Sequence, residues 1–140
     1  MIVYLIRHAS AGKRSKWTGD DRLRPLDARG SRQAEVLVRQ LEGRDIDRIL
    51  ASPYLRCVQT VEPLARARRL EVETNEGLAE GAGAEAALTL LRGLGGSASV
   101  CVHGDLIEEL LDHEEPKGST TMLELDSRPP TVLKRLPPPL

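Results

Sequence analysis

The sequence predicts one α/β domain in which helices cover both faces of a mainly parallel central sheet, giving three layers. Strand-like and helix-like segments alternate along the chain, which is the pattern of consecutive β–α–β units. The first segment, residues 2–6, is a continuous apolar run, as expected of a strand buried on both faces of a parallel sheet. With 140 residues and 40% hydrophobic content, the chain can bury one core but is too short for two.

The first helix is predicted from a capping residue and an apolar stripe. Asp27 can accept hydrogen bonds from free backbone N–H groups, so the helix begins there and ends near Gly43. Its apolar face has helical spacing and consists of Ala34, Leu37, Val38 and Leu41. Residues 46–51 are apolar enough to form a second strand.

The second helix is predicted to begin at Ser52-Pro53, a cap followed by a proline in the first turn. Pro63 lies inside this helix and is expected to kink or split it. Residues 70–74 alternate in polarity and form a third strand, and residues 84–96 form a helix closed by glycines.

The last part of the chain completes the sheet. We predict a fourth strand at 99–102, a short helix capped by Asp105, and a final pair of strands at 121–125 and 131–136. The segment 137–140 is rich in proline, which cannot donate a hydrogen bond within a sheet. We therefore expect a single domain over 1–136 and a tail over 137–140.

Composition excludes several functions. The net charge of −1 argues against a protein that binds nucleic acid polymers, which would carry a basic excess. No stretch is apolar enough to span a membrane, and the residues after Met1 form a strand rather than a leader, so we expect a cytoplasmic protein with no membrane partner. Cys57 and Cys101 have neither metal-ligand nor disulfide-framework spacing, and we interpret them as small packed residues.

Four polar side chains are predicted to meet at one edge of the sheet. Arg7 and His8 follow the first strand, Arg56 lies in the first turn of the second helix, and His103 follows the fourth strand. The carboxyl ends of parallel strands share an edge, where ligand-binding groups gather. Because a helix N-terminus offers free N–H groups beside the Arg56 guanidinium, this edge suits an oxyanion.

Four segments in the same order resemble the histidine phosphatase superfamily, in particular its short branch of phosphohistidine-phosphatase-like members. They are "LIRHASAG", "DRLRPLDARG", "ILASPYLRCVQTVEPL" and "VCVHGDLIEELL". The family is named for an Arg-His-Gly motif, and in this branch alanine replaces the glycine, as it does here. The chain also resembles the phosphatase-like domain that follows a Nudix domain in some actinobacterial proteins, although no Nudix segment is present.

The resemblance implies a phosphoglycerate-mutase-like fold and a phosphatase that needs no metal or other cofactor. His8 would attack phosphorus and form a phosphohistidine intermediate, while Arg7 and Arg56 hold the phosphoryl oxygens. His103 would add positive charge in the transition state. We expect the cationic surroundings of His8 to lower its pKa and keep it unprotonated.

Other site residues are predicted with alternatives. Relatives place a proton donor where Glu80 lies, with Glu76 as a neighbouring candidate, and either residue can equally be an exposed loop glutamate.

Ser10, Arg24 and Trp17 are candidates for binding the substrate. The basic loop at residues 13–24 is either a rim that attracts anions, with Trp17 stacking on a base, or a solvated loop with Trp17 packed as a lid. His113 is an alternative to His103 as the second histidine of the site, but it lies in a polar segment and we interpret it as a surface residue.

Two classes of function follow. The first is a phosphatase acting on a phosphohistidine protein or a small phosphorylated metabolite, with a nucleotide di- or triphosphate as the alternative substrate. The second is a non-catalytic domain that binds phosphate and regulates a partner. The intact set of Arg7, His8, Arg56 and His103 favours the enzyme, because a binding module has no need of an in-line nucleophile.

Overall fold

A computed structural model of the chain describes residues 1–139, which form one six-stranded sheet with helices on both faces. The strands are β1 (Ile2–Arg7), β2 (Arg48–Ala51), β3 (Val72–Thr74), β4 (Ala98–Val102), β5 (Thr120–Glu124) and β6 (Thr131–Leu136). The helices are α1 (Ala28–Gln40), α2 (Leu55–Arg68), α3 (Ala84–Arg92) and α4 (Gly104–Leu111). Short 3₁₀ turns occur at Arg14–Lys16, Asp21–Leu23 and Glu76–Leu78.

The sheet has the strand order β3-β2-β4-β1-β5-β6, and its first four strands in that order run parallel. β5 runs antiparallel to β1, and β6 runs antiparallel to β5. The sheet is therefore mixed but mostly parallel, which confirms the predicted fold class. The carboxyl ends of β1, β2 and β4 lie together at the same edge.

The core consists of two apolar clusters, one on each face of the sheet. Along β1, Val3 and Leu5 pack with Leu106 on the side of α3 and α4. Tyr4 and Ile6 pack with residues of α1 and α2 on the other side. β1 is thus buried on both faces, as its uninterrupted apolar sequence predicts.

The start of α1 follows the prediction. The Asp27 carboxylate accepts a hydrogen bond from the Gly30 backbone N–H over 2.8 Å and caps the helix. A Cβ on Gly30 would lie 1.9 Å from the Ser10 carbonyl oxygen, so only glycine permits this close approach of α1 to the loop after β1. The cap and the glycine together position residues 9–12 beside the carboxyl edge.

The predicted starts of two helices were wrong. α2 begins at Leu55 with Tyr54 in the capping position, and the Ser52 hydroxyl is hydrogen-bonded to His103 as well as to the Tyr54 backbone N–H. α4 begins at Gly104, and the carboxylate of Asp105 accepts a hydrogen bond from the Gly81 N–H rather than capping the helix. In both cases a tertiary contact takes the side chain that the local pattern assigned to a cap.

Of the two effects expected of Pro63, a kink or a split, the split does not occur, since α2 is continuous from Leu55 to Arg68 with Pro63 inside it. A proline removes one helical hydrogen bond, but burial of the apolar face of α2 against α1 and the sheet offsets that loss.

After β6, residues 137–139 have no regular secondary structure, and the carbonyl of Pro137 accepts a hydrogen bond from the Gln40 side chain. The last residue of the expected tail, 140, lies outside the described residues, and the domain limits 1–136 and 137–140 stay a prediction. Along residues 1–139, no helix is both long enough and apolar enough to cross a membrane.

Candidate active site

A cavity of about 590 Å³ opens at the carboxyl edge of the sheet, and the four predicted side chains all line it. Arg7 ends β1 and His8 follows it, while His103 follows β4, which pairs with β1 in parallel. Arg56 is the second residue of α2. The four side chains therefore lie at the same edge of the sheet, as predicted.

His8 is a neutral imidazole with one free nitrogen. Its Nδ1 lies 2.8 Å from the Ala9 carbonyl oxygen, and because a carbonyl only accepts, Nδ1 carries the proton and Nε2 keeps its lone pair. Burial lowers the pKa of His8 to about 3, and the charges of His103, Arg56 and Arg7 act in the same direction. The shift was expected from the cationic surroundings, but burial is the larger cause.

The guanidinium of Arg56 is buried completely and held by two carboxylates. Its Nη2 lies 3.0 Å from Asp21 and 3.1 Å from Glu80, and its Nη1 donates to the Asp21 carbonyl oxygen over 2.8 Å. These contacts stabilise a charge that would otherwise be costly to bury. The guanidinium is thereby oriented before any ligand binds.

Arg7 is oriented by backbone on two sides. Its Nη1 donates to the Glu115 carbonyl oxygen over 2.7 Å. Its guanidinium lies against Gly104, where a Cβ would come within 2.8 Å of Cζ and Nη2. The first residue of α4 therefore leaves room for Arg7 because it is a glycine.

Three residues that line the cavity each have a buried nitrogen with no hydrogen-bond partner in the described structure. These nitrogens are Nε of Arg7, Nε of Arg56 and Nδ1 of His103. Buried donors are almost always paired, so unpaired donors at a cavity indicate that a ligand completes them. The arrangement suits an acceptor-rich anion such as a phosphoryl group.

Comparison with known proteins agrees with this geometry. A family model described as the histidine phosphatase superfamily (branch 1) matches residues 3–89, which is more than half of the chain. The chain belongs to the histidine phosphatase superfamily. This confirms the resemblance found in the sequence.

Individual relatives of this histidine phosphatase family member differ in their described substrates. An 8-oxo-(d)GTP phosphatase from Mycolicibacterium smegmatis is 38% identical over 116 residues, which cover 79% of this chain and 36% of that protein. The chain thus spans about a third of the length of that relative. The match is consistent with the likeness to actinobacterial proteins noted in the sequence.

Solved structures show the same fold. The protein histidine phosphatase SixA in complex with tungstate superposes with a TM-score of 0.82 at 25% identity, covering 99% of this chain and 97% of that one. The alpha-ribazole phosphatase from Shigella flexneri has a TM-score of 0.76 at 15% identity, covering 97% and 96%, and supports the fold alone. The phosphoglycerate-mutase-like α/β/α architecture is confirmed.

The two candidate proton donors of this histidine phosphatase lie in different places. Glu80 lines the cavity, and its carboxylate contacts Arg14 at 2.6 Å and Arg56 at 3.1 Å. Glu76 is exposed and pairs with Arg22 at 2.8 Å, away from the cavity lining. Geometry therefore favours Glu80 of the two.

Of the three candidate substrate-binding residues, only Arg24 lines the cavity. Its Nη1 donates to the Ala11 carbonyl oxygen, and its Nε pairs with Asp21. The hydroxyl of Ser10 donates to Asp27 and supports the loop instead. The Trp17 side chain donates to the Asp20 carbonyl oxygen and is not among the residues that line the cavity, so it forms no lid there, and its stacking on a base stays a prediction.

The cavity also has cations that sequence reasoning missed or left undecided. Lys13 and Arg14 of the basic loop reach its wall, as does Lys117. The Gly118 N–H donates to the carbonyls of Arg7 and His8, which holds Lys117 beside the end of β1. Burial and the nearby charges of Arg7 and other arginines lower the pKa of Lys117. No sequence signal marks Lys117, because its position depends on the pairing of β5 with β1.

A second residue that sequence reasoning missed is Asp21, whose carboxylate pairs with Arg24 and Arg56 and lies 3.5 Å from Arg14.

His113, the alternative second histidine, contacts Glu115 and is not among the residues that line the cavity. Among residues 1–139, no group of histidine, cysteine and carboxylate side chains is placed to hold a metal ion.

His103 has two partners at its inner edge that the sequence analysis did not assign to the site. Its Nε2 lies 2.8 Å from the Ser52 hydroxyl and 3.6 Å from the Cys57 sulfur. Both cysteines are free and buried, as expected. Burial raises the pKa of its thiol, but hydrogen bonds from Cys101 and His103 and the charges of His103 and Arg56 outweigh it and lower the pKa to about 6.

Proposed function

We propose that the chain removes a phosphoryl group from a phosphohistidine protein or a small phosphorylated metabolite, in two steps and without a metal. In the first step His8 attacks phosphorus and the leaving group departs. In the second step water attacks the phosphohistidine, releases inorganic phosphate and regenerates the free imidazole.

The state of His8 carries this proposal. A nucleophilic nitrogen must be unprotonated, and the bond from Nδ1–H to the Ala9 carbonyl leaves the lone pair on Nε2. A pKa of about 3 keeps that lone pair available at any physiological pH. A histidine that only bound phosphate would gain from being protonated, so the buried neutral state favours catalysis over the non-catalytic alternative.

The three unpartnered nitrogens support stabilisation of the transition state. Arg7 and Arg56 are available to donate to the non-bridging oxygens, and His103 can donate through Nδ1. Such donors, oriented in advance, stabilise charge that develops on the phosphoryl group. The related SixA is described in complex with tungstate, a tetrahedral oxyanion of the same shape, which supports an oxyanion as a ligand of this chain.

The cations of the cavity replace the metal ion that other phosphatases use to neutralise phosphoryl charge. Glu80 is the proposed proton donor to the leaving group, since it lines the cavity beside Arg56. Because its carboxylate pairs with Arg14 and Arg56, it has to take up a proton from solvent before it can donate one. The ring of a phosphohistidine can be protonated before the P–N bond breaks and then leaves as a neutral imidazole, whereas an alkyl phosphate would have to expel a strongly basic alkoxide. Loss of the Glu80 carboxyl should therefore slow the hydrolysis of alkyl phosphates more than that of phosphohistidine.

Release of phosphate from a panel of donors tests the proposal. The panel contains a phosphohistidine peptide, sugar phosphates, and nucleoside di- and triphosphates, because one relative is named as a nucleotide phosphatase. We expect turnover of at least one donor, unchanged by EDTA and absent in His8→Gln. Activity that EDTA removes and a divalent metal restores would overturn the mechanism. Binding of phosphate without turnover of any donor would favour the non-catalytic domain.

A further inference from the structure

We propose that Ser52 and Cys57 are positioning residues that hold the inner edge of His103, so that its opposite nitrogen donates a charged hydrogen bond to the phosphoryl group. Cys57 acts as the anion that keeps this imidazole protonated. The inference rests on the proposed phosphoryl chemistry and adds the means by which the second histidine gains its charge and orientation.

The geometry at the inner edge defines the role. The Ser52 hydroxyl lies 2.8 Å and the Cys57 sulfur 3.6 Å from Nε2 of His103, and all three side chains are at most 2% exposed. Nδ1 of the same ring is buried and has no partner in the described structure, although the ring lines the cavity. One nitrogen is therefore occupied by the protein and the other is left for a ligand.

Ser52 is placed to accept a hydrogen bond from Nε2. Its hydroxyl oxygen already accepts from the Tyr54 N–H over 3.2 Å, which leaves a second lone pair for the imidazole. Its backbone N–H donates to the Cys101 carbonyl oxygen over 3.0 Å, so the residue is fixed between β2 and β4.

Cys57 is placed to take up the counter-charge. Transfer of the thiol proton to His103 breaks the S–H bond and forms the Nε2–H bond, which leaves a thiolate beside an imidazolium without changing their net charge. Burial is the largest influence on the pKa of Cys57 and raises it, but Cys101, His103 and Arg56 together lower that pKa, whereas burial and its contact with Cys57 raise the pKa of Cys101. Cys101 therefore keeps its proton and donates a hydrogen bond to the thiolate.

The groups that face this pair come from each neighbouring element. His8 lies across the cavity, with its ring centroid 5.6 Å from that of His103, and the Tyr54 ring lies at 4.6 Å. Arg56 and Cys101 lie beside the pair, and Thr60 is hydrogen-bonded to Cys101. The acidic residues Glu80 and Asp105 line the same cavity as His103, and Glu80 pairs with Arg56. Of the groups in contact with the His103 ring, only the Cys57 thiolate supplies negative charge. A variant in which residue 57 cannot ionise should therefore change the protonation of His103 measurably.

Cys57→Ser is the decisive variant, because serine keeps a hydrogen-bonding group of similar size but does not ionise in this range. We expect the alkaline limb of the pH profile of kcat to move to lower pH, with kcat about tenfold lower at pH 8 and near the wild-type value at pH 6. Ser52→Ala should lower kcat at every pH, because it loosens the ring. Ser99→Ala is the matched control, since Ser99 is equally buried on β4 and its hydroxyl has no partner in the described structure.

Nitrogen-15 NMR of the histidine rings measures the protonation state of His103 directly and does not depend on turnover. In wild-type protein at pH 7.5, we expect His103 to show two protonated nitrogens, and in Cys57→Ser we expect one. Unchanged ring signals together with an unchanged pH profile would overturn the role of Cys57. If no phosphoryl donor were turned over, the proposed function would fail, while the NMR result would still decide the state of His103.

Discussion

Gly104→Ala is expected to reduce catalysis without reducing stability. The new Cβ would lie 2.8 Å from Cζ and Nη2 of Arg7 and 2.9 Å from its Nε. Ordinary contacts begin near 3.4 Å, so the guanidinium must move by at least about 0.6 Å. Alanine suits the first turn of α4 at least as well as glycine does, so the helix itself gives no reason for destabilisation.

The expected loss follows from the precision that phosphoryl transfer requires. A displacement of about 1 Å can cost about 10²-fold in rate, and removal of one oriented donor costs about 10²- to 10³-fold. We expect kcat/KM of Gly104→Ala to fall about 10- to 100-fold toward p-nitrophenyl phosphate, with the thermal midpoint unchanged. Gly93→Ala is the control, because its Cβ would make an ordinary contact of 3.5 Å at the end of α3. Full activity of Gly104→Ala would refute the account of how Arg7 is oriented.

Three further outcomes are expected. Lys117→Gln should raise KM about three- to tenfold for a substrate with a second anionic group and leave kcat unchanged, whereas Lys16→Gln, which lies off the cavity, should change neither. Gly30→Ala should lower the free energy of unfolding in urea by at least about 2 kcal/mol, because its Cβ would lie 1.9 Å from the Ser10 carbonyl oxygen; a smaller loss would contradict that contact. Because the pKa of His8 is lowered from 6.5 to about 3, the unfolded chain takes up a proton that the folded chain excludes as the pH falls through that range. Between pH 6 and pH 4, stability should therefore fall about 1.4 kcal/mol per pH unit more steeply in wild-type protein than in His8→Gln, and parallel curves would show that His8 titrates normally.

The sequence predicts those parts of the fold and site that depend on local pattern. The apolar run of β1, the Asp27 cap and the positions of Arg7 and His8 all follow from neighbouring residues. Arg56 and His103 are found because each follows a strand of a parallel sheet, so topology brings them to the same edge.

The remaining features depend on contacts between distant segments. Ser52 has the local pattern of a helix cap, but its hydroxyl contacts a histidine that follows another strand. Cys57 is buried as predicted, yet its chemistry depends on His103 and Cys101, which lie more than 40 positions later. Trp17 belongs to the basic loop beside the site, but its indole is held to the Asp20 carbonyl by a hydrogen bond that the sequence does not reveal.

The central claim is that Nε2 of His8 is the nucleophile, and trapping of the phosphoenzyme tests it most directly. Wild-type protein is mixed with a labelled phosphoryl donor, quenched in base within milliseconds, digested and mapped by mass spectrometry. We predict a phosphate on His8 that is stable in base and labile in acid, reduced in Arg56→Ala and absent in His8→Gln. Turnover by His8→Gln, or a label on Ser10 or Cys57 instead, would contradict the account.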